Sequence, residues 1–268
     1  IRDDKPAYFI YRQIMNGRAQ AGIVGCASID DYQNNIMKKH ELTRADKEED
    51  RVRHVDTCNA NTGPIFLTFR DNGFIGQFSA DWMASHEPIY DFVAADGISH
   101  TVWKIGDTDT IAELEKYFDT VPAFYIADGH HRSASAVRVG LKRRAEHPDY
   151  DGTEEFNFFL SVLFPSDVLH IFDYNRVVHD LNGLTEEEFF AKVGVLFDVV
   201  PMAEMPSDKA ADAELLEQYR PTRKHDVSMS IAGRWYKLTA KAGTFDENDP
   251  VSRLDVSILQ LADRKSVV

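Results

Sequence analysis

The stretch from Ala123 to Glu146 constrains the fold most tightly, because it joins three kinds of local structure without a spare residue. Ala123-Phe-Tyr-Ile-Ala is a short apolar run that reads as a buried strand, Asp128-Gly129-His130-His131-Arg132 reads as a tight turn, and Ser133 to Glu146 reads as a helix with Ala134, Val137 and Leu141 on one face. Gly129 supplies the backbone freedom of the turn. The helix behind it aims its free N–H groups and positive dipole end at the same spot, which is an anion site in outline. Arg132 adds a planar fork suited to phosphate oxygens, His130 and His131 add ring donors, and Asp128 at the strand end is a candidate Mg²⁺ ligand. The plainer alternative is a helix-capping Asp with surface histidines.

The rest of the chain interleaves strands and helices. Runs over 7–14 and 20–29 flank Asn16-Gly17, a strong hairpin signal. Asp30-Asp31 leads into a polar helix, and Thr43 with Asp46 three residues on resembles a capping box for a second one ending near Cys58. A strand is expected over 65–69, a helix over 111–118, a hairpin of 156–164 with 168–174, helices over 185–195 and 212–218, and a last hairpin of 227–231 with 234–239. No strict βαβ period emerges, so the expected architecture is α+β, a mixed β-sheet with flanking helices. Pro148 to Thr153 reads as a connector and sets the expected domains at 1–150 and 151–268, the second an α+β portion packed on the first.

Charge narrows the function classes. With 30 Lys+Arg against 44 Asp+Glu the net charge is -14, which repels nucleic acid and acidic membranes. Against that background Arg138, Lys142, Arg143 and Arg144 form a basic island that suggests a local anionic ligand. Arg44, Lys47, Arg51 and His54 recur at helical spacing and form a second cationic stripe, which could line a polyphosphate or simply be a solvated face. Asn61 and Thr62, with Asn59 and Gly63, offer groups for ligand contact or an ordinary helix stop. Cys26 and Cys58 form neither a disulfide framework nor a zinc motif, no apolar run approaches the roughly 18 residues of a membrane span, and the expected compartment is the cytoplasm. P-loop, Rossmann, nucleophile-elbow and HExxH patterns are absent. Both ends of the chain read as cut short.

The strand, Asp-Gly-His-His-Arg turn and helix resemble the phosphate-binding signature of the ParB/sulfiredoxin superfamily, which includes free serine kinases. The wider pattern, with Tyr11-Arg-Gln, Lys39-His-Glu-Leu-Thr-Arg44, Asn59-Ala-Asn-Thr-Gly-Pro-Ile-Phe66 and Asp173-Tyr-Asn-Arg-Val-Val178, resembles a bacterial and archaeal family catalogued as a domain of unknown function. The C-terminal Pro-Pro-Lys-Ser-Thr-Trp pattern of that family is missing here. The resemblance implies a ParB/sulfiredoxin-like core with a C-terminal α/β extension, and a phosphotransferase that makes O-phospho-L-serine from free L-serine with pyrophosphate, ADP or ATP as donor and Mg²⁺ as cofactor. It would place donor phosphate on Gly129, His130, His131, Arg132, Lys39 and Arg44. Asp128 would hold the metal, His131 would share in catalysis and Asn61 and Thr62 would meet the substrate. Glu41 is assigned as the base from its order along the chain. The expected partners are small molecules, with neither nucleic acid nor membrane, and oligomeric state stays open. Competing readings are a ParB-type nucleotide- or nucleic-acid-binding module, a sulfiredoxin-like reductase, which would need a Cys beside the turn, and an inactive scaffold.

Overall fold

Asn16 and Gly17 both take positive φ, 51° and 75°, the mirror-image turn whose twist matches that of the flanking strands. They close β1 (Tyr8–Met15) onto β2 (Arg18–Ser28) with Met15 opposite Arg18 and Phe9 opposite Val24. The computed structural model describes residues 5–41, 43–173, 175–203 and 216–262. Two units divide the chain at residue 172/173, and both are α+β.

In the first unit an eight-stranded sheet runs β3-β7-β4-β8-β2-β1-β6-β5. The further strands are β3 (Met37–Lys38), β4 (Ile65–Phe69), β5 (Tyr90–Val93), β6 (Ser99–Ile105), β7 (Phe124–Asp128) and β8 (Phe158–Pro165). Pairing is parallel for β3 with β7 and β4 with β8, and antiparallel elsewhere, so the sheet is mixed. Alternation sets the buried face: Ile65, Leu67 and Phe69 of β4 and Thr101, Trp103 and Ile105 of β6 point inward. The helices are α1 (Ile29–Gln33), α2 (Ala45–Cys58), α3 (Phe74–Ser85), α4 (Thr108–Phe118) and α5 (His130–Glu146). Ile29, Ile75, Leu114, Ala136 and Val137 carry α1, α3, α4 and α5 into one core with the strands.

Several sequence expectations shift. The helix expected from Ser133 begins at His130, so His130, His131 and Arg132 occupy its first turn rather than a loop. Leu141 is 37% exposed while Val139 and Gly140 are buried. The expected second strand of the 156–164 hairpin is not formed over the described residues 168–173, and Tyr174 lies outside them; both edges of β8 are already paired, to β2 and β4. That pairing also moves the domain boundary from 150/151 to 172/173, since β8 is an interior strand of the first sheet.

The second unit holds α6 (Glu186–Leu196), an antiparallel sheet ordered β10-β11-β9 and α7 (Asp255–Ala262). Its strands are β9 (Phe197–Pro201), β10 (Asp226–Ile231) and β11 (Arg234–Ala240). A capping box starts α6: Thr185 accepts from the Glu188 amide and Glu188 accepts from the Thr185 amide. Phe189, Val193, Phe197, Tyr236, Leu238 and Ile258 form a separate core. Most of the helix expected over 212–218 falls outside the described residues.

Candidate functional site

Strand β7 ends at Asp128, Gly129 turns the chain with φ 99°, and α5 starts at once, with no side chain capping its first turn and no acidic residue in it. The first-turn amides of a helix cannot bond within it, so they face whatever lies beyond Gly129. Arg132 folds back over this turn and its Nη2 donates to Asp128 Oδ2 at 2.5 Å. A Cβ on Gly129 would stand 3.2 Å from Nε and Nη2 of Arg132, and one on Gly63 would stand 3.2 Å from Nη1. Two glycines from distant parts of the chain thus flank one guanidinium.

His130 is 5% exposed. Its Nδ1 lies 3.6 Å from Glu41 Oε2, its ring meets the His40 ring edge to face at 4.4 Å, and its buried Nε2 has no partner among the described residues. Burial, with His40 next, pushes its pKa below the ordinary histidine value, while Glu41 and Asp128 pull the other way. Both carboxylates therefore act on the same ring, although they lie far apart in sequence. His131 Nδ1 is also buried and unpartnered among the described residues. The residue's backbone carbonyl accepts from Ser135 Oγ at 2.6 Å.

The family model described as protein of unknown function (DUF1015) matches residues 1–257. The chain belongs to this family. No curated protein and no solved structure matches it. In this DUF1015 chain the sequence-assigned residues sort into three groups. Asp128, Gly129, His130, His131, Arg132 and Glu41 converge on the α5 N-terminus, and Thr62 stands next to Gly63, its Oγ1 3.1 Å from His54 Nε2. Lys39 is committed elsewhere: its Nζ donates to the Tyr32 carbonyl at 3.2 Å and sits 3.9 Å over the Tyr32 ring. Arg44 is the backbone N-cap of α2, and Asn61 is an exposed loop residue two positions before Gly63. Gly63, offered by the sequence with its polar neighbours for ligand contact or as an ordinary helix stop, instead lies against the Arg132 guanidinium.

The basic island of the DUF1015 chain is neutralised within the fold. Arg138 donates to Glu48 and Glu49 at 3.1 and 2.9 Å, Lys142 to Asp56 at 2.6 Å, and Arg143 to Asp56 and Asn59 at 3.1 and 2.7 Å. Arg144 grips Asp30 with both Nη atoms at 2.7 and 2.8 Å. These cations hold α2 and α1 to α5, which replaces the expectation of an anionic ligand there. The expected capping box is absent too: Arg44 is the N-cap and Thr43 Oγ1 donates to Glu48 Oε2 at 2.6 Å, while the side chains of Asp46 and Lys47 lie outside the described set.

Among the described residues no group of three His, Cys, Asp or Glu side chains could hold a metal ion. The donor set fits Mg²⁺ in one way, with the 72% exposed Asp128 carboxylate as protein ligand and the remaining oxygens from ligand phosphates and water, as that ion commonly accepts. Cys26 and Cys58 are free. A recess of about 240 Å³ lined by His147, Tyr150, Glu154 and Phe156 lies past the opposite end of α5 and shares no residue with this cluster. No helix among the described residues is long and apolar enough to cross a membrane.

Proposed function

We propose that this DUF1015 protein is a cytoplasmic phosphotransferase that forms O-phospho-L-serine from free L-serine, with pyrophosphate, ADP or ATP as donor, in a reaction that can run in reverse. The observation that carries the reading is the uncapped α5 N-terminus on a left-handed Gly129, with the Arg132 guanidinium and the buried, half-unpartnered His130 beside it. Donor phosphate is bound by the amides after Gly129 and by Arg132, with His130 and His131 as ring donors. Glu41, exposed and next to His130, takes the proton of the serine hydroxyl. Thr62 and Asn61 present polar groups on the Gly63 side. Mg²⁺ bound through Asp128 and the donor phosphates would neutralise charge on the transferred group. Phosphoryl transfer asks the protein mainly for alignment and charge neutralisation, which this arrangement can supply.

The competing nucleic-acid reading needs a wide basic face. Pairing of Arg138, Lys142 and Arg143 with acids of α2 removes the strongest candidate for one. The test of the kinase reading is incubation of the protein with serine, Mg²⁺ and each donor in turn, with phosphoserine followed by mass spectrometry. Product with at least one donor is expected, and absence of product with all of them overturns the reading.

A further inference from the structure

We propose that Arg132 and Asp128 form an exchange latch, in which an incoming phosphate takes the guanidinium and frees the carboxylate for a divalent cation. The inference rests on the phosphate-site reading above and adds an order of events to it. The two side chains sit one helical turn apart and are joined at 2.5 Å, with Arg132 39% and Asp128 72% exposed, so both ends of the pair can be reached by a ligand. Gly63 and Gly129 border the guanidinium on two sides, each with a would-be Cβ 3.2 Å from one or more of its nitrogens. The pair sets the best anion donor of the turn against the best cation ligand of the turn.

A guanidinium edge that serves a carboxylate serves a phosphate equally well, and often in bidentate fashion. The phosphate also gains the amides and dipole of the α5 N-terminus, which Asp128 at the strand end does not cap. Exchange toward phosphate is therefore favoured. A carboxylate beside a guanidinium is a poor cation ligand, because the neighbouring positive charge opposes a second one. Once released it becomes a hard oxygen next to phosphate oxygens, the mixed set that magnesium accepts. Because exposed ion pairs contribute little, the coupling is modest, about threefold to fivefold in affinity, and it is reciprocal by linkage.

The test uses the full chain, Mn²⁺ binding by electron paramagnetic resonance and inorganic phosphate binding by calorimetry, with metal–phosphate association measured in a protein-free control. In the wild type phosphate raises Mn²⁺ affinity by about threefold to fivefold. Arg132→Gln binds Mn²⁺ better than the wild type without phosphate, and added phosphate raises its Mn²⁺ affinity by less than it does in the wild type. Arg138→Gln removes the same charge from the same helix but from a pair with Glu48 and Glu49, and behaves as wild type. Should Arg132→Gln fail to fold, Asp128→Asn decides: it still binds phosphate and has lost the coupling. Equal changes in Arg132→Gln and Arg138→Gln, or a wild-type Mn²⁺ affinity indifferent to bound phosphate, overturn the latch alone. Failure of phosphate to bind the wild type overturns the latch and the phosphate site together. Intact coupling without phosphoserine production supports the latch and retires only the serine kinase reading.

Discussion

Arg132 concentrates the chemistry of the site in one side chain, and its surroundings say which replacements it tolerates. Lys keeps the charge and loses the fork, so Arg132→Lys should lower turnover by about 2–4 kcal/mol of transition-state stabilisation while leaving the thermal midpoint near that of the wild type. Steady-state kinetics beside a thermal melt checks this, and an unfolded variant would make the residue structural. Gly63→Ala tests the cradle from the far side. A methyl there stands 3.2 Å from Nη1 and must push the guanidinium aside, so phosphate affinity should fall with little change in stability. Gly129→Ala crowds the same guanidinium and also strains the backbone, because φ 99° is a conformation that residues with a Cβ rarely adopt. The expected cost is about 1–3 kcal/mol in urea unfolding.

At the scale of elements, α2 is a polar helix with no apolar stripe, and its docking on α5 is made of charge. Val52 and Val55 are only partly buried, whereas Glu48, Glu49 and Asp56 each meet a cation of α5. Exposed pairs are screened by salt, so amide exchange in α2 should speed up several-fold from low to high NaCl while the exchange of α5, anchored by Ala136 and Val137, holds steady. Acid should act the same way. Thr43 first and then Arg138 hold the Glu48 carboxyl below its ordinary value, Lys142 and Arg143 do so for Asp56, and Arg144 for Asp30. The unfolded chain therefore takes up protons first as pH falls, and the stabilisation present above about pH 4–5 is lost below it. Denaturant melts from pH 7 to 3 should show this decline, and Arg144→Gln should flatten the part due to Asp30.

For the whole molecule, the two units have separate cores, and every residue of the candidate site belongs to the first. The DUF1015 match runs through both units, to residue 257. Residues 1–172 expressed alone should fold cooperatively and bind phosphate with the affinity of the full chain, as measured by calorimetry. A large loss of affinity would overturn this expectation. Ile171, Phe172, Val177 and Val178, exposed and outside any helix or strand, mark the expected point of limited proteolysis.

Local chemistry was readable from the residues wherever it is set by neighbours in the chain. Asn16-Gly17 forced the first hairpin, Ala232-Gly233 the last, and Gly129 between an apolar run and a helix placed an open N-terminus at the Asp-Gly-His-His-Arg turn. Helix α3 escaped notice because its capping carboxylate belongs to Asp71, two residues before the Gly73 N-cap, with Oδ1 accepting from the Ile75 amide and Oδ2 from the Gly76 amide. Strand β9 escaped because it follows α6 with no turn residue between Leu196 and Phe197. Tertiary structure alone decided which charges remain available. Arg138, Lys142 and Arg143 look like ligand-binding cations in the chain and are spent on α2, while Glu41, with no local signal of its own, is carried to His130 across 89 residues. Electrostatic partnership depends on distances between segments that share no sequence proximity, and the packing of α2 and β4 beside α5 and β7 sets those distances.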